Sequence, residues 1–408
     1  MSVIRSWRGS AVGVLALASV ALAAGCGSGS SSSTVPQGLT GQQAAGYANE
    51  QITIADKQAA TVLKPAPGSF LAGKTTVTVL GSTTPANGDV NPYAVWPVTQ
   101  TGGTVKAGDV LVDNFNNSSN DQGTGTTIVD VHPDGSTTVF ANLAGAKARC
   151  PGGVGLTTAM VQLKTGWVIV GSLPSSNGVT TTAGQGCLLV LSPAGKLAET
   201  LTGAYLDGPW DAAVKDNGGT ATLFVSNTLV GLAHSPTATA SQGDVVRLSL
   251  KQTTTIPPKV TAEQVVASGL PESGDPSAFV KGPTGLAIGA NGTLYVADNL
   301  ANAITEVPQA LTRSTSGAGT VLTSGGQLAH PLGLTLAPDG DLLAANATNG
   351  KIVEITTAGE QTGEDYAIEN TGQDPPGNGD LFGIAINQAG TGVLFVKDDE
   401  NTLGLLHS

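Results

Sequence analysis

Apolar residues fall in short runs along most of this chain, separated by turns rich in Gly, Asn and Asp. Short apolar runs bounded by turn residues predict strands rather than helices. The pattern also repeats. The segment GPTGLAIGANGTLYVADN (282–299) aligns with HPLGLTLAPDGDLLAANA (330–347) and with DLFGIAINQAGTGVLFVKDD (380–399). Each holds a small apolar strand, a turn where Gly or Asn must take positive φ, and a second strand ending in Asp or Asn. Looser copies lie at 91–114, 152–172 and 208–228, giving six units.

Each unit continues into a third and a fourth strand. Strands at Thr127–Val131 and 137–141 flank the turn HPDGS, 188–191 precedes SPAGK, and 352–355 precedes TTAGE. Four antiparallel strands per unit make a propeller blade. The last unit runs out after its third strand at Thr402–His407, while an unassigned strand, 75–80, precedes the first unit. Its sequence reads like the fourth strands at 137–142 and 320–325. The expectation is an all-β, six-bladed β-propeller of four-stranded antiparallel blades spanning 75–408. An N-terminal strand completes the C-terminal blade, which removes an open sheet edge.

Composition agrees with this and narrows the partners. The chain has 56 Gly residues and only 12% charged residues, which suits strands with tight turns. Roughly 330 residues belong to the patterned region, enough for a large core. The net charge of −12 argues against a nucleic-acid partner and gives no attraction to anionic lipid headgroups.

The first residues carry an address rather than a fold. Arg5 and Arg8 precede the apolar stretch 11–23, too short to span a bilayer comfortably. Then comes Leu22-Ala23-Ala24-Gly25-Cys26, which resembles the bacterial lipoprotein signal, although Ala23 stands where that family prefers Leu. The resemblance implies a signal peptide at 1–25 and acylation of Cys26. A Gly/Ser tether follows to residue 40, then a weakly helical or irregular lead-in at 41–74. The expected product is a monomer exported from the cytoplasm and held at the cell envelope by a membrane lipid anchor. The competing reading is an ordinary cleaved signal with an incidental cysteine. The remaining cysteines, Cys150 and Cys187, belong to the second unit, where alternate strands place them at one end of the blade. Outside the cytoplasm they are expected to form a disulfide.

The runs P-x-G-L-A-I and L-Y-V-A-D-N of units four to six resemble the NHL-repeat and SMP-30/gluconolactonase-like propellers. That resemblance implies a site at the mouth, where the innermost strands begin. The residues before the small residue of each first strand are Tyr93, Val154, Trp210, Thr284, Leu332 and Phe382. In SMP-30-like lactonases such positions supply an Asn and an Asp to a metal, joined by a Glu that opens the first blade. Here Asn91 stands near the Glu position, and Thr284, Leu332 and Phe382 are a hydroxyl and two apolar groups. No metal site is therefore expected. The peptidylamidoglycolate lyases, a related NHL-type family, hold zinc with several His residues. Of the four His here, only His330 sits at a blade entrance; His132, His234 and His407 lie elsewhere. His330 is read as a loop or packing residue.

No catalytic residue is assigned, and no Gly-x-Ser-x-Gly elbow is present. Asp113, Asn114, Asn227, Asp298, Asn299, Asn346 and Asp398 recur after second strands, either as a polar ring able to hold a cation or, the reading that recurrence in nearly every blade favours, as Asx turns that start each loop. No cofactor is expected, apart from a structural calcium that the oxygen-rich loop 113–125 leaves open. The resulting expectation is a noncatalytic binding or scaffold protein. Its mouth residues Tyr93, Trp210, Thr284, Leu332 and Phe382 would meet a small molecule, a glycan or a protein. The alternative is an SMP-30-like hydrolase, lactonase or lyase with a divergent site. Two fates remain open for the mouth side chains: a ligand surface, or a plug that closes the tunnel.

Overall fold

The computed structural model describes residues 65–408 apart from 147–148, 232–237 and 370. The signal segment, Cys26, the tether, the lead-in up to residue 64 and His234 lie outside the described residues. Six antiparallel sheets follow one another along the chain. Blade 1 is built from Val90–Pro97, Val110–Asn116, Thr127–Val131 and Thr137–Asn142, and blade 2 from Leu156–Gln162, Val168–Ser172, Cys187–Leu191 and Leu197–Leu201. Blades 4 and 5 open with Pro283–Ile288 and Pro331–Leu336, and blade 6 opens with Leu381–Ile386. Inner strands of successive blades pack on one another right round, so the ring is continuous.

Closure takes the expected form. Thr76–Ser82 pairs antiparallel with Thr402–His407, from Thr76 opposite His407 to Ser82 opposite Thr402. The closing strand is largely exposed, with Val77 and Val79 facing solvent, so it holds the ring mainly through its hydrogen-bond ladder.

Middle strands such as Leu294–Asp298 and Leu342–Asn346 are buried along their whole length, as expected for strands sandwiched between blades. Alternate side chains serve the two neighbouring interfaces. In blade 1, Leu111 and Ile128 pack toward blade 2, whereas Val112 and Val129 pack toward Val396 and Leu403 of blade 6. Inner strands of blades 4 to 6 come closer still. A Cβ on Gly333 would lie 2.5 Å from the Phe382 carbonyl oxygen, and one on Gly285 would lie 2.5 Å from that of Leu332. Glycine therefore recurs at these positions because the next backbone occupies the space a side chain would need.

Three features depart from the repeat. Blade 3 has long third and fourth strands, Thr239–Lys251 and Lys259–Asp275, and gains a fifth, Phe279–Lys281. The first strand of blade 2 carries one extra residue in its register shift, between Leu156 and Met160, where blade 5 spans Pro331 to Leu334. The end of the lead-in is not idle: the Glu354 carboxylate accepts the Phe70 and Leu71 amides at 2.7 and 2.8 Å, which seats Leu71 in the core of blades 5 and 6. Cys150 and Cys187 are bonded as a disulfide, with Cα atoms 5.3 Å apart.

Candidate functional site

Each inner strand starts at the mouth, and its opening residues divide the central channel. Tyr93, Trp210, Leu332 and Phe382 border two cavities at once. Below them is a tunnel cavity of about 340 Å³, lined by the rest of the inner strands, including Trp96, Met160 and Ile386. Above them is a mouth cavity of about 310 Å³. The four side chains form a septum. Tyr93 stacks on Phe382 with ring centroids 4.5 Å apart and meets the edge of Trp210 at 5.7 Å. Phe115 lies 4.9 Å from Tyr93 and 5.5 Å from Trp210, and Phe279 of the added blade 3 strand closes the cluster. Offset and edge-on pairs of this kind add to the burial of the rings themselves.

Trp210 is 1% exposed, so the plug describes it and a ligand surface does not. Leu332 and Phe382 keep part of their surface in the mouth cavity. The other two sequence candidates stand apart. Thr284 is buried, its hydroxyl 3.3 Å from the carbonyls of Ala297 and Pro331, and it borders neither cavity. Val154 packs in the core between blades 1 and 2, because the extra residue in that first strand moves the ring position on to Thr158.

Two of the polar lining residues stand just before prolines. Asn91 precedes Pro92 and His330 precedes Pro331, both with positive φ, 59° and 55°. Non-glycine residues rarely adopt this conformation, and each is held there by an asparagine of the preceding blade. The Asn91 amide donates to Asn401 Oδ1 and the His330 amide to Asn302 Oδ1, both at 2.8 Å. Asn299 completes the grip on His330: its side-chain amide donates to the His330 carbonyl, and its own carbonyl lies 2.9 Å from His330 Nδ1. A carbonyl can only accept, so Nδ1 carries a proton, and in the neutral ring the lone pair is on Nε2. The imidazole is thus fixed in one tautomer at the wall of the cavity.

Asp398 lines the same cavity. Burial, then the charges of Asp380 and Asp399, push its carboxyl up to about 7. Asn91 Oδ1 and Asn116 Oδ1 are buried there without a hydrogen-bond partner. Elsewhere the recurring Asx residues are staples. Asn114 donates to the Thr83 carbonyl, Asn227 to that of Tyr205, and Asn346 to that of Gln327, each tying an interblade loop. Asn299 and Asp398 are the members of that series that reach the cavity. In the loop 113–125, Asn117 Oδ1 accepts the Ser119 and Asp121 amides, and Asn116 donates to Asn120, so these groups are engaged by the loop itself. Two groups of acidic and His side chains close enough to share an ion exist among the described residues, Asp109–Asp130–His132 and Asp339–Asp341–Glu354. Both lie outside the mouth cavity.

No protein-family model matches the chain, and no curated protein is similar to it in sequence. Solved structures do resemble it. A gluconolactonase from Xanthomonas campestris aligns at 14% identity over 85% of this chain and 93% of its own, with a TM-score of 0.54. A luciferin-regenerating enzyme aligns at 13% over 82% and 95%, with a TM-score of 0.52. The calcium-binding protein regucalcin from Agrobacterium tumefaciens aligns at 14% over 85% and 95%, with a TM-score of 0.50. The chain has the fold of the SMP-30/gluconolactonase-like six-bladed propellers. Identities this low speak to fold alone.

Proposed function

We propose that the protein is a hydrolase of small, oxygen-rich esters or lactones, acting in the mouth cavity. The observation that carries this reading is the imidazole of His330, held through Nδ1 by Asn299 so that the neutral ring has its lone pair on Nε2, in the same cavity as a carboxyl raised to about 7. A general base with a fixed tautomer and a carboxylic acid that is partly protonated near neutrality are the two partners such a reaction needs. His330 Nε2 takes a proton from water as its oxygen attacks the substrate carbonyl. Asp398 gives its proton to the leaving alkoxide, so that acid and alcohol are the products. The unpartnered oxygens of Asn91 and Asn116 accept hydrogen bonds from substrate hydroxyls. The partly exposed Phe382 and Leu332 supply an apolar floor. The gluconolactonase neighbour supports the substrate class in kind.

The second reading is noncatalytic capture of a hydroxylated small molecule, favoured by the same two unpartnered amide oxygens. A screen of small lactones and hydroxylated esters separates the two. Hydrolysis should fall about 100-fold in His330→Gln and in Asp398→Asn, with folding intact. Retained hydrolysis in both variants would overturn the catalytic assignment, and binding without turnover would leave capture standing. The export and lipid anchoring expected from residues 1–26 remain part of the proposal, and the Cys150–Cys187 bridge supports an oxidising compartment.

A further inference from the structure

The face of blade 1 that looks toward blade 2 carries a polar group at the end opposite the mouth. Asp130 lies in the third strand of blade 1 and His132 directly follows that strand's end, two residues on, so the two side chains fall on the same side. Asp109 comes just before Val110, which pairs with Val131, so it lies across from His132. His132 Nδ1 is 3.2 Å from Asp109 Oδ1 and 3.9 Å from Asp130 Oδ2. One donor atom from each of the three side chains lies within 4.8 Å of the others. Both aspartates are 2% exposed.

Two buried carboxylates side by side call for a positive charge. Among the described residues, no lysine or arginine forms an ion pair with either, and His132 is the only basic partner. Asp130 Oδ1 is buried with no hydrogen-bond partner at all. A carboxylate in this group thus holds one acceptor left with nothing to accept, beside the Oδ2 that faces His132. The far nitrogen of the ring, Nε2, lies 3.1 Å from Thr138 Oγ1, a hydroxyl able to accept from it. A cation entering the group would displace the Nδ1 proton, and donation from Nε2 to Thr138 would then give the outer support that metal-binding imidazoles ordinarily have.

We propose that Asp109, Asp130 and His132 form a binding site for a divalent first-row transition metal, such as Zn²⁺. One imidazole with two carboxylates is a mixed nitrogen and oxygen set, which suits zinc rather than calcium, whose ligands are oxygens. The ion would lie at the base of the propeller, away from His330 and Asp398, and would clamp the second strand of blade 1 to the hairpin that follows its third. Its role would be structural.

The test uses the full chain stripped with a chelator and titrated with ZnCl₂ by calorimetry, with the melting temperature followed in parallel. The wild type should bind one Zn²⁺ more than His132→Gln or Asp130→Asn, and zinc should raise the melting temperature of the wild type alone. His132 is partly exposed, so His132→Gln keeps the test valid if the Asp130 variant folds poorly. Co²⁺ substitution provides a spectroscopic signal that a stabilising salt effect would not move. Equal zinc stoichiometry in the wild type and His132→Gln, or no zinc uptake by the wild type, would overturn the proposal. Hydrolysis in the mouth does not enter these readouts, so this site and that activity stand or fall separately.

Discussion

Replacing Trp210 by alanine tests the septum directly. The indole is 1% exposed and meets Tyr93 at 5.7 Å and Phe115 at 5.5 Å, both edge-on. Truncating a buried aromatic to alanine costs about 3–5 kcal/mol, which includes lost transfer free energy and the void left behind. One term works the other way. Trp210 Nε1 is buried without a partner, and removing it relieves about 1–3 kcal/mol of desolvation. The net loss for Trp210→Ala should therefore be about 2 kcal/mol, the difference between the middles of the two ranges. Trp210→Phe keeps most of the ring contact and drops the unpaired donor, so it should stay within about 1 kcal/mol of the wild type. Equilibrium urea unfolding of the three proteins, compared at equal slope, measures both values. A Trp210→Ala variant as stable as the wild type, or more stable, would show that the indole does not hold the septum together. A Phe variant as damaged as the Ala variant would show that the nitrogen has a partner the argument misses.

Two further outcomes follow from the fold. Burial is the leading cause that pushes Asp113 up to about 8 and Asp211, Glu272 and Asp398 to about 7. The folded state then holds protons that the unfolded chain releases. This stability is fully present below about pH 4 and is lost as pH rises through 7 to 8, so melting temperature should fall from pH 5 to pH 8. A flat or rising profile would contradict the assignment. Deleting 76–82 removes six paired positions but little apolar burial. The loss should be about 3–6 kcal/mol from the ladder alone, read as a lower melting temperature, with dimers through the bared strand Thr402–His407 as the second sign.

The blade count, the strand order and the closing strand were all legible in sequence, because short apolar runs and Gly-bearing turns repeat from unit to unit. The disulfide was legible too, since alternate strands of a blade run parallel and bring Cys150 and Cys187 to one end. Of the mouth positions read from sequence, Tyr93, Trp210, Leu332 and Phe382 do border the cavity, and the polar side chains stand two residues before them on two inner strands, Asn91 before Tyr93 and His330 before Leu332. Tyr93, Trp210 and Phe382 follow the prolines or their equivalents and fall into the septum, whereas Asn91 and His330 precede prolines and line the cavity. The Asn-Pro and His-Pro pairs were the available signal. What sequence could not supply was the grip of Asn299 and Asn302, which reach His330 only when blades 4 and 5 pack together, and of Asn401, which meets Asn91 only once the ring closes. The fifth strand of blade 3 escaped notice because Phe279–Lys281 is short and carries no alternation of its own.

The glycines at 285, 333 and 383 have a consequence for the molecule as a hoop. Over the arc from blade 4 to blade 1, successive inner strands touch backbone to backbone, so the circumference there is set by hard contact. In an open sheet, an added methyl group at Gly333 would be absorbed by letting one strand step aside. A closed ring has no free end to yield. The extra width must be shared around the whole perimeter, and the diameter of the central channel must grow with it. A substitution that touches no septum residue would therefore slacken the stacking of Tyr93 on Phe382 across the bore, and the mouth and the tunnel would begin to communicate.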